Sequence, residues 1–152
     1  MDNRSTESRS KNMSNIKSSG TKPEETVAKY LFNKGFRYRK NVRKLPGQPD
    51  LVLPKYHTVI FVNGCYWHGH EGCKYFVMPK TNVDFWKNKI EYNQRRDSEN
   101  QEKLKELGWR VLIVWECEIR HGDKEKALKM LSKNVKTTHL ESSEDKIFRN
   151  VF

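Results

Sequence analysis

The segment Cys65-Tyr66-Trp67-His68-Gly69-His70-Glu71-Gly72-Cys73 places two thiols, two imidazoles, a carboxylate and two large aromatic rings within nine residues. Thiolate and imidazole are ligand types that zinc prefers, and Cys117 would complete a Cys3His set using all three cysteines of the chain. The alternative is three inert thiols packed as small apolar side chains, because the spacing of Cys65 and Cys73 is not a stereotyped finger spacing. A four-coordinate site made with three cysteines takes one histidine. If His70 is the ligand, His68 is left for proton transfer, a task suited to imidazole near neutral pH; if His68 is the ligand, His70 is the spare.

A second group of candidates carries oxygen. Asp50 follows the turn Leu45-Pro46-Gly47-Gln48-Pro49 and opens a short apolar run. A carboxylate there can hold magnesium, which keeps several waters and binds through one or two carboxylates plus substrate phosphates; an aspartate beside a turn is also a common turn former. Glu24 is either a second acid near that ion or the carboxylate of a capping box in Thr21-Lys22-Pro23-Glu24. Tyr66, Trp67 and Trp86 either pack over the cysteine loop or stack on and wedge between bases. His57, His121 and His139 lack comparable neighbours and read as surface histidines.

The elements that must position these groups follow from periodicity and breakers. Residues 1–20 are almost wholly polar apart from Met13 and Ile16, which predicts an arm that orders on a partner. A single domain over 21–152 then begins with a helix from Thr21, using Val27, Ala28, Leu31 and Phe32 and stopped at Lys34-Gly35. Residues 36–39 alternate aromatic with basic and read as a strand, followed by a short strand over 50–53. Residues 58–62 and 110–115 are apolar enough to be interior strands covered on two faces. Between them, 84–107 lacks Gly and Pro and is stopped by Gly108, predicting a helix of ~36 Å with one narrow buried stripe through Phe85, Trp86, Ile90, Leu104 and Leu107. A last helix is expected over 124–132, with 134 onward weakly patterned. Helices flanking a mixed sheet make the fold class α/β.

At 152 residues the chain suits one domain, and 30 Lys plus Arg against 19 Asp plus Glu give a net charge of +11 spread along its length. That points to an anionic partner, nucleic acid first. The longest apolar run, residues 111–115, is far too short to span a bilayer, so no membrane partner is expected. Without an apolar signal core at the amino terminus, a reducing intracellular compartment is expected.

Several motifs occur in a telling order: Arg9-Ser10-Lys11-Asn12-Met13, Leu45-Pro46-Gly47-Gln48-Pro49-Asp50, Val59-Ile60-Phe61-Val62-Asn63-Gly64-Cys65-Tyr66-Trp67-His68, Asp84-Phe85-Trp86, and Leu107-Gly108-Trp109-Arg110-Val111-Leu112-Ile113-Val114-Trp115-Glu116-Cys117. Across residues 9–120 the chain closely resembles the very short patch repair (Vsr) mismatch endonucleases. The resemblance implies a restriction-endonuclease-like core, a structural Zn2+ and a Mg2+-dependent nick on the 5′ side of the T in a T:G mismatch, the product of 5-methylcytosine deamination. It implies Asp50 as the magnesium carboxylate, the Val62 backbone carbonyl as a further oxygen ligand, His68 as general base and Glu24 as an accessory acid. Cys65, His70, Cys73 and Cys117 become the zinc ligands. Tyr66, Trp67 and Trp86 match a wedge entering from the major groove, and Met13 and Ile16 an arm entering the minor groove. Lys89 and Asn93 fall where the family contacts the mismatched pair, and Asp97 extends that face toward the active site. The restriction fold's usual acidic residue and lysine are absent from Phe61-Val62-Asn63, which leaves proton transfer to histidine. The implied setting is a cytoplasmic bacterial monomer acting on double-stranded DNA, linked in function to a cytosine-5 DNA methyltransferase.

Overall fold

The computed structural model describes residues 21–141, with side chains through residue 137; Met13, Ile16 and the ring of His139 lie outside what it describes. The first helix, α1 (Lys22–Asn33), starts where the Thr21 hydroxyl accepts the Glu24 N–H at 3.4 Å. Four strands follow: β1 (Arg39–Lys40), β2 (Leu51–Leu53), β3 (Thr58–Asn63) and β4 (Arg110–Trp115). They form one mixed sheet in the order β1-β2-β3-β4, with β3 and β4 parallel and the other pairs antiparallel. A parallel pair needs a crossover, and α2 (Val83–Glu106) lies within it. Helices α3 (Glu116–Arg120) and α4 (Lys124–Glu141) complete an α/β architecture.

Strand alternation sorts the apolar side chains onto two faces. Leu51, Leu53, Ile60, Val62 and Val114 join Val27, Ala28 and Leu31 of α1 and Leu128, Leu131 and Val135 of α4 in the larger cluster. Val52 and Val59 face the other way and meet Leu104 of α2, with Phe61 and Val111 packed against them. Gly108 ends α2 in a left-handed conformation (φ 90°), its N–H on the Lys105 carbonyl at 2.9 Å and that of Trp109 on the Leu104 carbonyl at 2.9 Å. Among the described residues, no helix is long and apolar enough to cross a membrane.

Five expectations are corrected. Residues 36–38 are not strand: Phe36 is buried, its N–H on the Leu31 carbonyl at 3.0 Å and its ring 5.3 Å from that of Tyr56, so packing beneath α1 overrides the alternation. Of the two supposed interior strands only β3 is flanked on both sides; β4 is the edge of this sheet and is mostly half-buried. Helix α4 continues well past residue 132, anchored by fully buried Val135. The stripe on α2 is shorter than expected: Ile90 and Leu104 are buried, while Phe85 (61% exposed) and Leu107 lie outside it. His57 is not an ordinary surface histidine, since it is half-buried and stacks on Trp109 (4.3 Å), whereas His121 is exposed and lies against Tyr75 (3.9 Å).

Candidate active site and metal centre

The turn before β2 delivers Asp50 to the end of the sheet, where its Oδ2 accepts the Val62 N–H at 2.6 Å. Glu24 is buried in the first turn of α1 and hydrogen-bonds the Asp50 carboxyl. Burial first of all, then the neighbouring Glu24, pushes the Asp50 carboxyl up from 3.8 to about 7, against the opposing pull of the Val62 N–H and His68. Two carboxyls this close cannot both be anionic without a counter-charge. Burial and Glu24 both disfavour the Asp50 anion, a cation there would favour it, and oxygen donors of this kind suit a hard divalent ion.

His68 lies in the loop after β3, within electrostatic reach of Asp50. Its Nδ1 is 2.5 Å from Asp97 Oδ2, and both side chains are largely buried. A carboxylate on Nδ1 selects the neutral tautomer that carries its hydrogen there, leaving the Nε2 lone pair as the proton acceptor. The two histidine rings face different partners. The ring of His70 turns to the thiols, with Nδ1 3.6 Å from Cys117 Sγ, while that of His68 turns to Asp97.

The ligand atoms of Cys65, His70, Cys73 and Cys117 all lie within 4.8 Å of one another. A tetrahedral zinc with Zn–S of about 2.3 Å and Zn–N of about 2.0 Å spaces its ligands roughly 3.5–3.8 Å apart, so the separation of Cys117 and His70 already fits such a site. Backbone turns preform the loop: His70 N–H reaches the Cys65 carbonyl at 2.9 Å and Cys73 N–H the His70 carbonyl at 3.4 Å. Trp115 stacks on the His70 ring at 4.0 Å and fixes its plane. Burial pushes the Cys65 thiol up to about 12, so without a metal this sulfur keeps its proton and metal uptake must displace it.

Tyr66, Trp67 and Trp86 converge edge to face, with centroids 5.5–5.9 Å apart. Phe85 and Phe76 extend this cluster, at 5.2 Å from Trp86 and 6.3 Å from Tyr66. Lys89 is exposed one turn beyond Trp86, whereas Asn93 is only 6% exposed and donates from Nδ2 to the Trp67 carbonyl at 2.9 Å. Gln94, not among the residues expected at the site, donates to the Gly69 carbonyl at 2.9 Å. Its signal was available in the helical spacing of Ile90, Asn93, Gln94 and Asp97, which puts all four on one face.

The family model described as DNA mismatch endonuclease Vsr matches residues 1–74 of the chain. The DNA mismatch endonuclease Vsr of Escherichia coli is 46% identical over 116 residues, 76% of this chain and 74% of that protein. The type II nicking enzyme V.NmeAIP of Neisseria meningitidis serogroup A is 49% identical over 116 residues, covering 76% and 82% of the two chains. V.XorIIP, a type II nicking enzyme of Xanthomonas oryzae pv. oryzae, is 44% identical over 107 residues, 70% of this chain and 78% of its own.

Proposed function

Because the chain belongs to the Vsr family of DNA mismatch endonucleases, we propose that it nicks one strand of a duplex 5′ to the thymine of a T:G mismatch, initiating very short patch repair. The observation that carries this reading is one juxtaposition: the His68–Asp97 dyad stands beside the Asp50–Glu24 carboxyl pair. The chemistry follows from those groups. His68 Nε2 takes a proton from a water in line with the scissile phosphodiester, and Asp97 holds the ring and balances the charge it acquires. The new oxygen–phosphorus bond forms as the bond to the 3′ oxygen breaks, and that oxygen takes a proton from solvent water, leaving a 3′-hydroxyl and a 5′-phosphate. Asp50, Glu24 and the Val62 carbonyl would hold magnesium, which supplies positive charge against the developing charge on phosphate and leaving oxygen. Zinc in the Cys65, His70, Cys73 and Cys117 cluster is the brace of the loop.

The aromatic cluster gives selectivity a physical basis. Unstacking a base step takes a few kcal/mol in sound duplex and less at a mismatch, so insertion of Tyr66, Trp67 and Trp86 favours the lesion. Lys89 and Asn93 border that cluster and are assigned to the mismatched pair; Met13 and Ile16 of the arm are assigned to the opposite groove. The protein acts as a monomer, and its functional partner is the cytosine-5 methyltransferase whose product deaminates to thymine. The test is nicking of otherwise identical T:G and C:G duplexes. A single cut in the thymine strand of the T:G duplex is expected; equal cutting of both duplexes, or of both strands, would overturn the reading. Trp67→Ala should weaken T:G binding about 10- to 100-fold, as measured by titration, because one base-stacking ring is worth roughly 1–3 kcal/mol.

The carboxyl pair makes cation binding depend on pH. An Asp50 carboxyl raised from 3.8 to about 7 in the metal-free protein stabilises the fold fully below the lower value and loses that contribution as pH rises through the upper one. Magnesium competes with the Asp50 proton. The rise in melting temperature on adding magnesium should therefore be larger at about pH 8 than at about pH 5.5, and Asp50→Asn should flatten the difference. Scanning calorimetry of the zinc-loaded protein checks this.

A further inference from the structure

One face of α2 holds the catalytic loop residue by residue. Asn93 Nδ2 takes the Trp67 carbonyl at 2.9 Å, Asp97 takes His68 Nδ1 at 2.5 Å, and Gln94 Nε2 takes the Gly69 carbonyl at 2.9 Å. The peptide that enters His68 and the one that leaves Gly69 are thus each held by a carboxamide, while the His68 ring is held by a carboxylate. Gly69 is what allows the approach: at φ 60°, a Cβ there would collide with Gln94 Nε2 and come within 2.8 Å of Ile90 Cγ2. The amide of Gln94 therefore occupies the space that a side chain at 69 would need. Gly69 and Gln94 form a matched pair, and the carbonyl they share belongs to the peptide that joins Gly69 to the metal-cluster residue His70.

The geometry points to Gln94 as a positioning residue for His68, acting through the Gly69 carbonyl and touching no reacting atom. This rests on the reading of His68 as general base. The loop's own backbone turns and the metal cluster set where the chain goes; Gln94 fixes the Gly69–His70 peptide, one residue beyond His68, and hence the backbone that aims Nε2. A displacement of about 1 Å at a catalytic group can lower a rate about a hundredfold without loss of binding.

The test uses the zinc-loaded full-length chain and a T:G duplex. Gln94→Met keeps the length of the side chain and removes the donor. It is expected to lower kcat about 10- to 100-fold with KM within about threefold of wild type and zinc content unchanged. In a His68→Ala background the same substitution should have no further effect, because both changes act through one group. Gly69→Ala, which displaces Gln94, should likewise lower kcat, and Gln94→Met should add little to that loss. Wild-type kcat in Gln94→Met would overturn the proposal, as would an equal fractional loss in the His68→Ala background or a loss that merely tracks zinc content. If His68→Ala itself cuts at the wild-type rate, the general-base reading fails, and the role of Gln94 fails with it. A failure of Gln94→Met alone leaves that reading standing.

Discussion

Asp50→Asn is expected to lower the rate of T:G nicking by about a thousandfold or more while mismatch binding stays within a few-fold of wild type. The substitution keeps the shape and an oxygen that can still accept the Val62 N–H, which Asp50 Oδ2 holds at 2.6 Å. What it removes is the negative charge that, with Glu24, would hold the proposed divalent ion. His68→Ala should lower the rate about 10²- to 10⁴-fold, the range over which a positioned general base contributes. Asp97→Asn should fall between wild type and His68→Ala, because an amide in place of the carboxylate no longer enforces the Nδ1–H tautomer. The measurements are single-turnover nicking beside equilibrium binding of the same duplex. Unchanged cutting by both Asp50→Asn and His68→Ala would leave a DNA-binding module with a turn aspartate and a packing histidine.

Some of this was legible in the chain because the residue types are rare or the periodicity is strong. Residues 58–63 and 110–115 are strands because β-branched and apolar side chains run through both, and Gly108 marks the end of α2 through its backbone conformation. The cysteine and histidine cluster stands out because few other residues offer soft donors. Other features depend on relations that spacing does not carry. Phe36 and Arg37 alternate like a strand, yet Phe36 is drawn into the core and the Arg37 guanidinium sits 4.2 Å over the Phe32 ring. Periodicity cannot distinguish a strand with two neighbours from an edge strand, which is why β4 read as interior. On a charged helix, Asn93, Gln94 and Asp97 look like solvated polar residues. Their roles exist only because the loop at 67–69 lies against them, and no local pattern links positions 25 to 29 residues apart. The choice between His68 and His70 was likewise undecidable from spacing, since each is a few residues from Cys65 and Cys73, and only ring direction separates them.

Cys117→Ser is expected to lower the melting temperature by about 10 °C or more and to abolish stoichiometric zinc, with nicking lost as well. Cys117 is the candidate ligand that reaches farthest: it lies in α3 beyond β4, 47 positions from His70, while the other three residues of the cluster share one loop. A metal bound to all four ties the loop after β3 to the segment after β4 and restricts the unfolded chain over that span. Inert packing of a half-buried thiol predicts a different outcome, because exchanging sulfur for oxygen there would shift stability by only about 1 kcal/mol. Calorimetry and metal analysis on the purified protein separate the two, and a folded, zinc-free, active Cys117→Ser enzyme would remove the brace from the account. Proton release is a second signature. With the Cys65 thiol pushed up to about 12 by burial in the metal-free site, zinc must displace its proton, so affinity should climb as pH rises and an indicator dye should register acid on zinc addition. Loss of activity in Cys117→Ser is expected from connectivity: in the proposed site His70 would be bonded to the metal, the Gly69 peptide precedes it, and His68 precedes that. Releasing His70 frees the backbone that aims the His68 ring, even though no zinc ligand touches the phosphodiester.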